Sequence, residues 1–168
     1  LAGITGSLIY RFAGSRARGR IKSGGRRKVN WDNWERELDE ARAPWIETTG
    51  PDAEAFLQRL LSNDVGKLAD GGAQYSVLCQ DDGGVLDDLF TYRLADCEFL
   101  TVTNAANHEK DLKWLQAHAG GYNVDVLDRH VSFAMLAVQG PRARQLVRSL
   151  ADCQLPSRMH CSEARVAG

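Results

Sequence analysis

The stretch from Tyr75 to Arg93, with the sequence YSVLCQDDGGVLDDLFTYR, decides how this chain folds. Two segments rich in Val, Leu, Phe and Tyr flank Asp82-Gly83, a dipeptide that favours the positive φ angles of a tight hairpin turn. The stretch therefore predicts an antiparallel β-hairpin with a defined register. That register pairs Val77 with Asp88 and Tyr75 with Phe90.

Strand alternation sorts the hairpin side chains onto two faces. One face carries Tyr75, Val77, Leu86, Asp88, Phe90 and Tyr92. Asp88 is the only charge in this set, whereas Asp87 lies on the opposite face with Arg93. A carboxylate on an apolar face is costly unless hydrogen bonds satisfy it. Asp88 is therefore either structural, bonded to a buried hydroxyl or N–H, or part of a site for a flat, amine-bearing ligand.

Composition sets the class of protein. The chain has 168 residues, of which 43% are hydrophobic and 26% charged, as in a soluble protein of one domain or two small ones. No apolar run has the length of a membrane span. The four cysteines form no C-x-x-C pair and no zinc-like spacing with histidine, so we predict free thiols and no metal site.

The first 46 residues differ from the rest. Residues 1–30 contain eight basic side chains, no acidic one and six glycines, which predicts a poorly packed leader. A basic arm for nucleic acid and a transit peptide are the functional alternatives. Trp31, Trp34, Leu38 and Ala41 then recur at helical spacing. We therefore assign residues 1–46 to an atypical leader with a short amphipathic helix, and residues 47–168 to the folded domain.

The remaining pattern predicts an α+β fold. Gly50-Pro51-Asp52-Ala53 follows a strand over 45–49 and opens a helix, and Gly140-Pro141-Arg142-Ala143 repeats this device after a strand over 133–138. Between them, a strand over 99–103 precedes a helix capped by Asn104. We predict a mainly antiparallel, ferredoxin-like sheet with packed helices and a duplicated strand–Gly-Pro-x-Ala–helix unit. Residues from 156 onward have no evident partner.

From Glu47 onward, the order of motifs resembles the T protein of the glycine cleavage system, the aminomethyltransferase family. The motifs that carry the resemblance are Gly50-Pro51-Asp52-Ala53, Ser62-Asn63-Asp64-Val65, Gly83-Gly84-Val85-Leu86-Asp87-Asp88-Leu89, Asn104-Ala105-Ala106-Asn107 and Ala137-Val138-Gln139-Gly140-Pro141. One of these motifs alone is weak, but their succession is specific to the family.

The resemblance implies a tetrahydrofolate-dependent aminomethyltransferase of glycine catabolism and one-carbon metabolism. Such an enzyme transfers a one-carbon unit from the aminomethyl-lipoyl arm of the H protein to tetrahydrofolate and releases ammonia. The key acid of the family falls on Asp88, and its folate-contacting residues fall on Tyr75, Tyr92 and Asn104. The alternative is a folate-binding relative that supports iron–sulfur or tRNA-modification chemistry.

Two departures limit what the resemblance implies. Residues 1–46 do not resemble the start of the family, and the sequence ends before the family's Gly-Tyr-Thr-Gly-Glu stretch. We therefore expect an N-terminal, folate-binding part that is inactive alone, with tetrahydrofolate and the lipoylated H protein as partners and neither membrane nor nucleic acid. The expected location is the cytoplasm, or the mitochondrial matrix in a eukaryote. Because Asp87 points away from the ligand face, we expect Asp87→Asn to be much milder than Asp88→Asn.

Overall fold

The computed structural model describes residues 44–130, 132, 135, 138 and 140–166. The predicted leader with its helix, and most of the strand predicted over 133–138, lie outside these residues. The described helices and strands, in chain order, are β1 (Trp45–Thr49), α1 (Ala53–Leu60), β2 (Ala73–Cys79), β3 (Val85–Ala95), β4 (Glu98–Val102), α2 (His108–His118), β5 (Asp125–Asp128) and α3 (Ala143–Leu150).

The five strands form one antiparallel sheet in the order β2-β3-β4-β1-β5. Without the edge strand β2, the order β3-β4-β1-β5 and the intervening helices α1 and α2 are those of the split β-α-β arrangement of ferredoxin-like folds. The predicted α+β, mainly antiparallel, ferredoxin-like class is confirmed. The hairpin strand β2 is an addition at one edge of that arrangement.

The hairpin has the predicted register over most of its length. Tyr75 pairs with Phe90 and Val77 with Asp88, as the turn chemistry of Asp82-Gly83 indicates. Gly83 takes a φ of 85°, which glycine adopts at little cost. The register shifts only at Cys79, where an irregularity pairs this residue with Val85.

Helices α1 and α2 bury one face of the sheet. Their apolar side chains pack with strand residues in a single cluster, whose fully buried members are Ile46, Ala53, Phe56, Leu57, Val65, Leu78, Phe99 and Leu115. A smaller cluster around Trp45 and Leu100 lies on the other face, and Tyr92 packs against it. In the part of the chain that the structure describes, no helix is long and apolar enough to cross a bilayer.

The two Gly-Pro-x-Ala turns have the same local geometry. Gly50 and Gly140 have φ angles of 125° and 117°. In each turn the glycine carbonyl accepts the backbone N–H of the alanine, Ala53 or Ala143, at 3.0 and 3.1 Å. The duplication as a whole remains a prediction, because the strand expected before Gly140 falls mostly outside the described residues.

Helix α3 differs from the prediction in what it buries. Its sequence predicts an apolar face formed by Leu146, Val147 and Leu150. Only Val147 is buried, whereas Leu146 and Leu150 are 55% and 43% exposed.

The segment after Pro156 has a partner, contrary to expectation. The backbone N–H of Ala73 donates to the carbonyl of Met159 at 2.8 Å, and that of Cys161 donates to the carbonyl of Gly71 at 2.7 Å. This segment therefore lies along the start of the edge strand β2. Its sequence carries no alternating apolar pattern that would have predicted the pairing.

We expect Gly50→Ala to lower the free energy of unfolding by about 2 kcal/mol, because it adds a clash to a strained φ angle. A methyl group at Gly50 would overlap the backbone oxygen of Asn123. Gly140→Ala is the matched control, since a methyl group there meets no atom within 4 Å among the described residues. It should cost about 1 kcal/mol from the φ angle alone. Equal losses in urea unfolding would show that Gly50 has no close packing role.

Candidate functional site

Asp88 lies on the face of the hairpin that the helices do not cover. The Tyr75 hydroxyl donates a hydrogen bond to its Oδ2, and the Asn104 side-chain amide donates to its Oδ1 at 3.0 Å. Asp88 is exposed. Although Asp88 lies on the face predicted to be apolar, it is not buried there, because the packed helices cover the opposite face.

The aromatic side chains predicted beside Asp88 form a row. The Tyr75 and Phe90 rings are 5.2 Å apart, and the Phe90 and Tyr92 rings 6.3 Å apart. The predicted placement of Tyr75, Asp88 and Tyr92 on one face is confirmed. Tyr75 is 44% exposed, so the outer end of this row is open to a flat ligand.

The two tyrosines differ in their surroundings. The hydrogen bond to Asp88 is the main reason that the pKa of Tyr75 is raised, with smaller increases from burial and from the charges of Asp88 and Asp87. Burial raises the pKa of Tyr92 to about 12, and the charge of Cys161 adds to this effect. Both phenols are therefore neutral hydroxyl donors near pH 7.

Asn104 connects the two aspartates of the Gly-Gly-x-x-Asp-Asp motif. Its side-chain amide lies 2.8 Å from Asp87 Oδ1 and 3.0 Å from Asp88 Oδ1, and its backbone N–H donates to Asp87 Oδ2 at 3.1 Å. The predicted helix cap is wrong, since α2 begins at His108 with Asn107 as the preceding residue. Asn104 instead lies near the start of the loop between β4 and α2, where it contacts β3.

The buried carboxylate of the hairpin is Asp87, which is 5% exposed. It accepts the hydrogen bonds of Asn104 described above and one from the Asn107 side chain at 2.8 Å. Burial alone would raise the pKa of Asp87, but hydrogen bonds from Asn104, Asp111 and Asn107 outweigh it and lower the pKa to about 2. The expected neighbour Arg93 binds Glu54 and Asp96 instead, at 2.6 and 2.8 Å.

Asp111 is a member of this cluster that the sequence interpretation missed. It is fully buried on the face of α2 that also carries His108 and Leu115. Burial, together with the hydrogen bond to Asp87 and the charge of Asp87, raises the pKa of Asp111 to about 7, against a lowering by Lys110. The helical spacing of Asp111 and Leu115, four residues apart, was a signal for this placement.

The start of α2 is held on its other side by His108. This residue is 7% exposed, and its ring nitrogens lie 3.0 Å from Thr103 Oγ1 and 3.1 Å from Asp128 Oδ1. His108 is therefore a buried residue that contacts both the end of β4 and β5. Burial alone would raise the pKa of Asp128, but hydrogen bonds from the His130 backbone and from His108 lower it. His108 fixes the helix end that supplies Asn107 to Asp87.

The Asp88 carboxylate has no ion-pair partner among the described residues. Both of its oxygens accept hydrogen bonds from neutral donors, which fix its position without a compensating positive charge from the described part of the chain. The same residues include no group of three His, Cys, Asp or Glu side chains that could hold a metal ion. The arrangement thus suits a flat ring that carries N–H groups or a developing positive charge.

Comparisons with known proteins show the family to which this chain belongs. The family model of the GCVT N-terminal domain matches residues 38–168. The aminomethyltransferase of Staphylococcus haemolyticus (strain JCSC1435) is 49% identical over 107 residues, which are 64% of this chain and 30% of that protein. The aminomethyltransferase of Lysinibacillus sphaericus (strain C3-41) is 50% identical over 105 residues, or 62% of this chain and 29% of that protein.

A solved structure supports the same assignment. The glycine cleavage system aminomethyltransferase T from Bartonella henselae is 34% identical, with a TM-score of 0.54 over 62% of this chain and 28% of that chain. The chain spans about 30% of the length of the curated relatives that it matches. Because the family model covers most of its residues, the chain belongs to the GCVT N-terminal domain family.

Proposed function

We propose that this chain is part of a tetrahydrofolate-dependent aminomethyltransferase of the glycine cleavage system. The donor would be the aminomethyl-lipoyl arm of the H protein, and ammonia would be released. The family membership and the names of the relatives support the class of reaction. By the same resemblance, we place the activity in the cytoplasm, or in the mitochondrial matrix of a eukaryote.

The observation that supports the proposal most is the exposure, orientation and charge of the Asp88 carboxylate. It is exposed beside a row of aromatic rings, it is oriented by Tyr75 and Asn104, and no described cation neutralises it. A carboxylate that is buried for a structural reason has its charge satisfied within the fold. Asp88 instead presents an oriented charge toward the side from which a ligand approaches.

The residues at this site fit tetrahydrofolate, which supplies the amine nitrogens that accept the one-carbon unit. Tyr75 and Phe90 offer ring surface for a pterin, and Asp88 accepts N–H hydrogen bonds at its edge. As nitrogen attacks carbon, positive charge develops on the amine, and an oriented carboxylate stabilises it without reorganising. Tyr75 and Asn104 hold the carboxylate in place during this step.

The proposal is tested with the full-length protein that contains this chain. Aminomethyl-loaded H protein and tetrahydrofolate are supplied together, and the release of ammonia is followed. We expect ammonia release that requires both reactants. Release that is independent of tetrahydrofolate, or no release from a folded protein, would contradict the proposed reaction.

We expect Tyr75→Ala to weaken tetrahydrofolate binding by the full-length protein about tenfold, because it removes a stacking surface worth roughly 1–3 kcal/mol. Binding is measured by titration calorimetry. Tyr75→Phe is the matched control, since it keeps the ring and removes only the hydroxyl that donates to Asp88. Equal weakening by the two substitutions would show that the ring of Tyr75 does not contact the ligand.

A further inference from the structure

The hydrogen bonds of Asp88 lead toward the interior of the fold. Asn104 bridges Asp88 and Asp87, and the carboxyl group of Asp111 of helix α2 lies beside Asp87 with both of its oxygens buried and without another partner. Asp111 is fully buried, so its carboxyl group is shielded from water. Asp111 and Asp87 cannot both be ionised at low cost, since two adjacent negative charges would repel strongly.

The location of the proton in this pair follows from the available donors. Asp87 accepts the Asn104 backbone N–H and the Asn104 and Asn107 side-chain amides, so its ionised form is well satisfied. Neither oxygen of Asp111 receives an N–H or O–H hydrogen bond from any other described residue. Because a carboxylate only accepts hydrogen bonds, the bond between the two acids requires one proton, and this proton belongs on Asp111.

Lys110 is the other charged group facing Asp111, and it does not replace this proton. Its Nζ lies 4.0 Å from Asp111 Oδ1, beyond hydrogen-bond distance. The same ammonium donates to the backbone carbonyl of Leu86 at 2.7 Å.

We propose that Asp111 is a positioning residue for the Asp88 site. Its protonated carboxyl group holds Asp87, and Asp87 holds the Asn104 amide against the Asp88 carboxylate. The first part of this inference is independent of any ligand. Its consequence for one-carbon transfer rests on the proposed function.

A dependence on pH follows from this arrangement. Burial and the neighbouring Asp87 together raise the pKa of Asp111 from 3.8 to about 7, so the folded protein keeps a proton that the unfolded chain releases near pH 4. Folding stability therefore falls as pH rises from about 4 to about 7, because the folded state binds more protons in this range. The low pKa of Asp87 acts in the opposite direction, but only as pH falls from about 4 toward 2.

The pair is tested on the full-length protein by urea unfolding across pH 4 to 7, with Asp111→Asn as the matched variant. An amide at this position donates to Asp87 but does not titrate. We expect the wild type to lose stability relative to Asp111→Asn as pH rises through this range. A constant difference between the two proteins would overturn the assignment of the proton to Asp111.

The positioning role is tested by the pH profile of transfer in the same proteins. We expect the wild-type kcat/KM to fall above about pH 7, where Asp111 ionises and repels Asp87, and we expect Asp111→Asn to lack this fall. Asp111→Leu removes the donor and should lower kcat/KM about tenfold, by displacing Asn104; Asp111→Asn should recover most of that loss. Identical pH profiles for wild type and Asp111→Asn would overturn the role.

The unfolding experiment and the transfer experiment together distinguish a failure of this inference from a failure of the proposed function. If the protein does not transfer a one-carbon unit at all, the unfolding experiment still reads the proton on Asp111. If transfer occurs and the unfolding difference is constant with pH, the proposed function stands and the present inference fails.

Discussion

Asp88→Asn in the full-length protein should slow one-carbon transfer about 10²-fold or more. The substitution keeps the shape of the side chain and one acceptor oxygen for the Tyr75 hydroxyl, but it removes the negative charge. Loss of one oriented polar group at a developing charge costs about 10²–10³ in rate. The measurement is the rate of ammonia release with saturating H protein and tetrahydrofolate. Because Asp88 is exposed, the free energy of unfolding should change little.

Asp81→Asn is the matched control for this experiment. Asp81 lies on the same hairpin, and its carboxylate forms an exposed ion pair with Arg59 at 3.3 Å. The same change of charge there should leave the rate of transfer within a factor of two, since exposed pairs contribute little. A rate of Asp88→Asn near that of the wild type would show that Asp88 is structural. A loss of rate that only follows unfolding of the protein would show the same.

The local parts of the site were predictable from the sequence because they depend on neighbouring residues. Asp82-Gly83 determines the turn, and a turn between two apolar strands fixes which residues pair. Side-chain alternation then places Tyr75 and Asp88 together, as the structure confirms. The roles of these residues in folate chemistry remain a prediction.

The long-range parts of the site were not predictable in the same way. Alternation separates Asp87 from Asp88, but it does not say which face the helices cover. The environment of Asp87 depends on the loop after β4, which brings Asn104 and Asn107 to β3. These two residues are 17 and 20 positions from Asp87 in the sequence. The sequence pattern also made Asn104 a helix cap, whereas its amide is used between two carboxylates.

The burial of Asp87 gives this residue a part in stability that its place in the sequence did not indicate. Asp87→Asn should lower the free energy of unfolding by about 3 kcal/mol or more. An amide at this position turns an N–H₂ group toward the donors of Asn104 or Asn107, so at least one buried donor loses its acceptor. The low pKa of Asp87 agrees with an ionised acceptor, and the stability that it contributes is lost as pH falls from about 4 through 2. The measurement is urea unfolding of the full-length protein at pH 7.

A double-mutant cycle with Asn104→Ala identifies the source of this loss. Asn104→Ala removes its side-chain hydrogen bond to Asp87 and keeps the backbone one, so the two separate losses should add only in part, and Asp87→Asn should cost less in a chain that already lacks the Asn104 side-chain amide. Asp81→Asn again controls for the change in net charge. If Asp87→Asn proved as mild as Asp81→Asn, or if the two losses added fully, the buried carboxylate would not be the acceptor that joins β3 to the start of α2. Asn104 would then reach Asp88 without being held in place by Asp87.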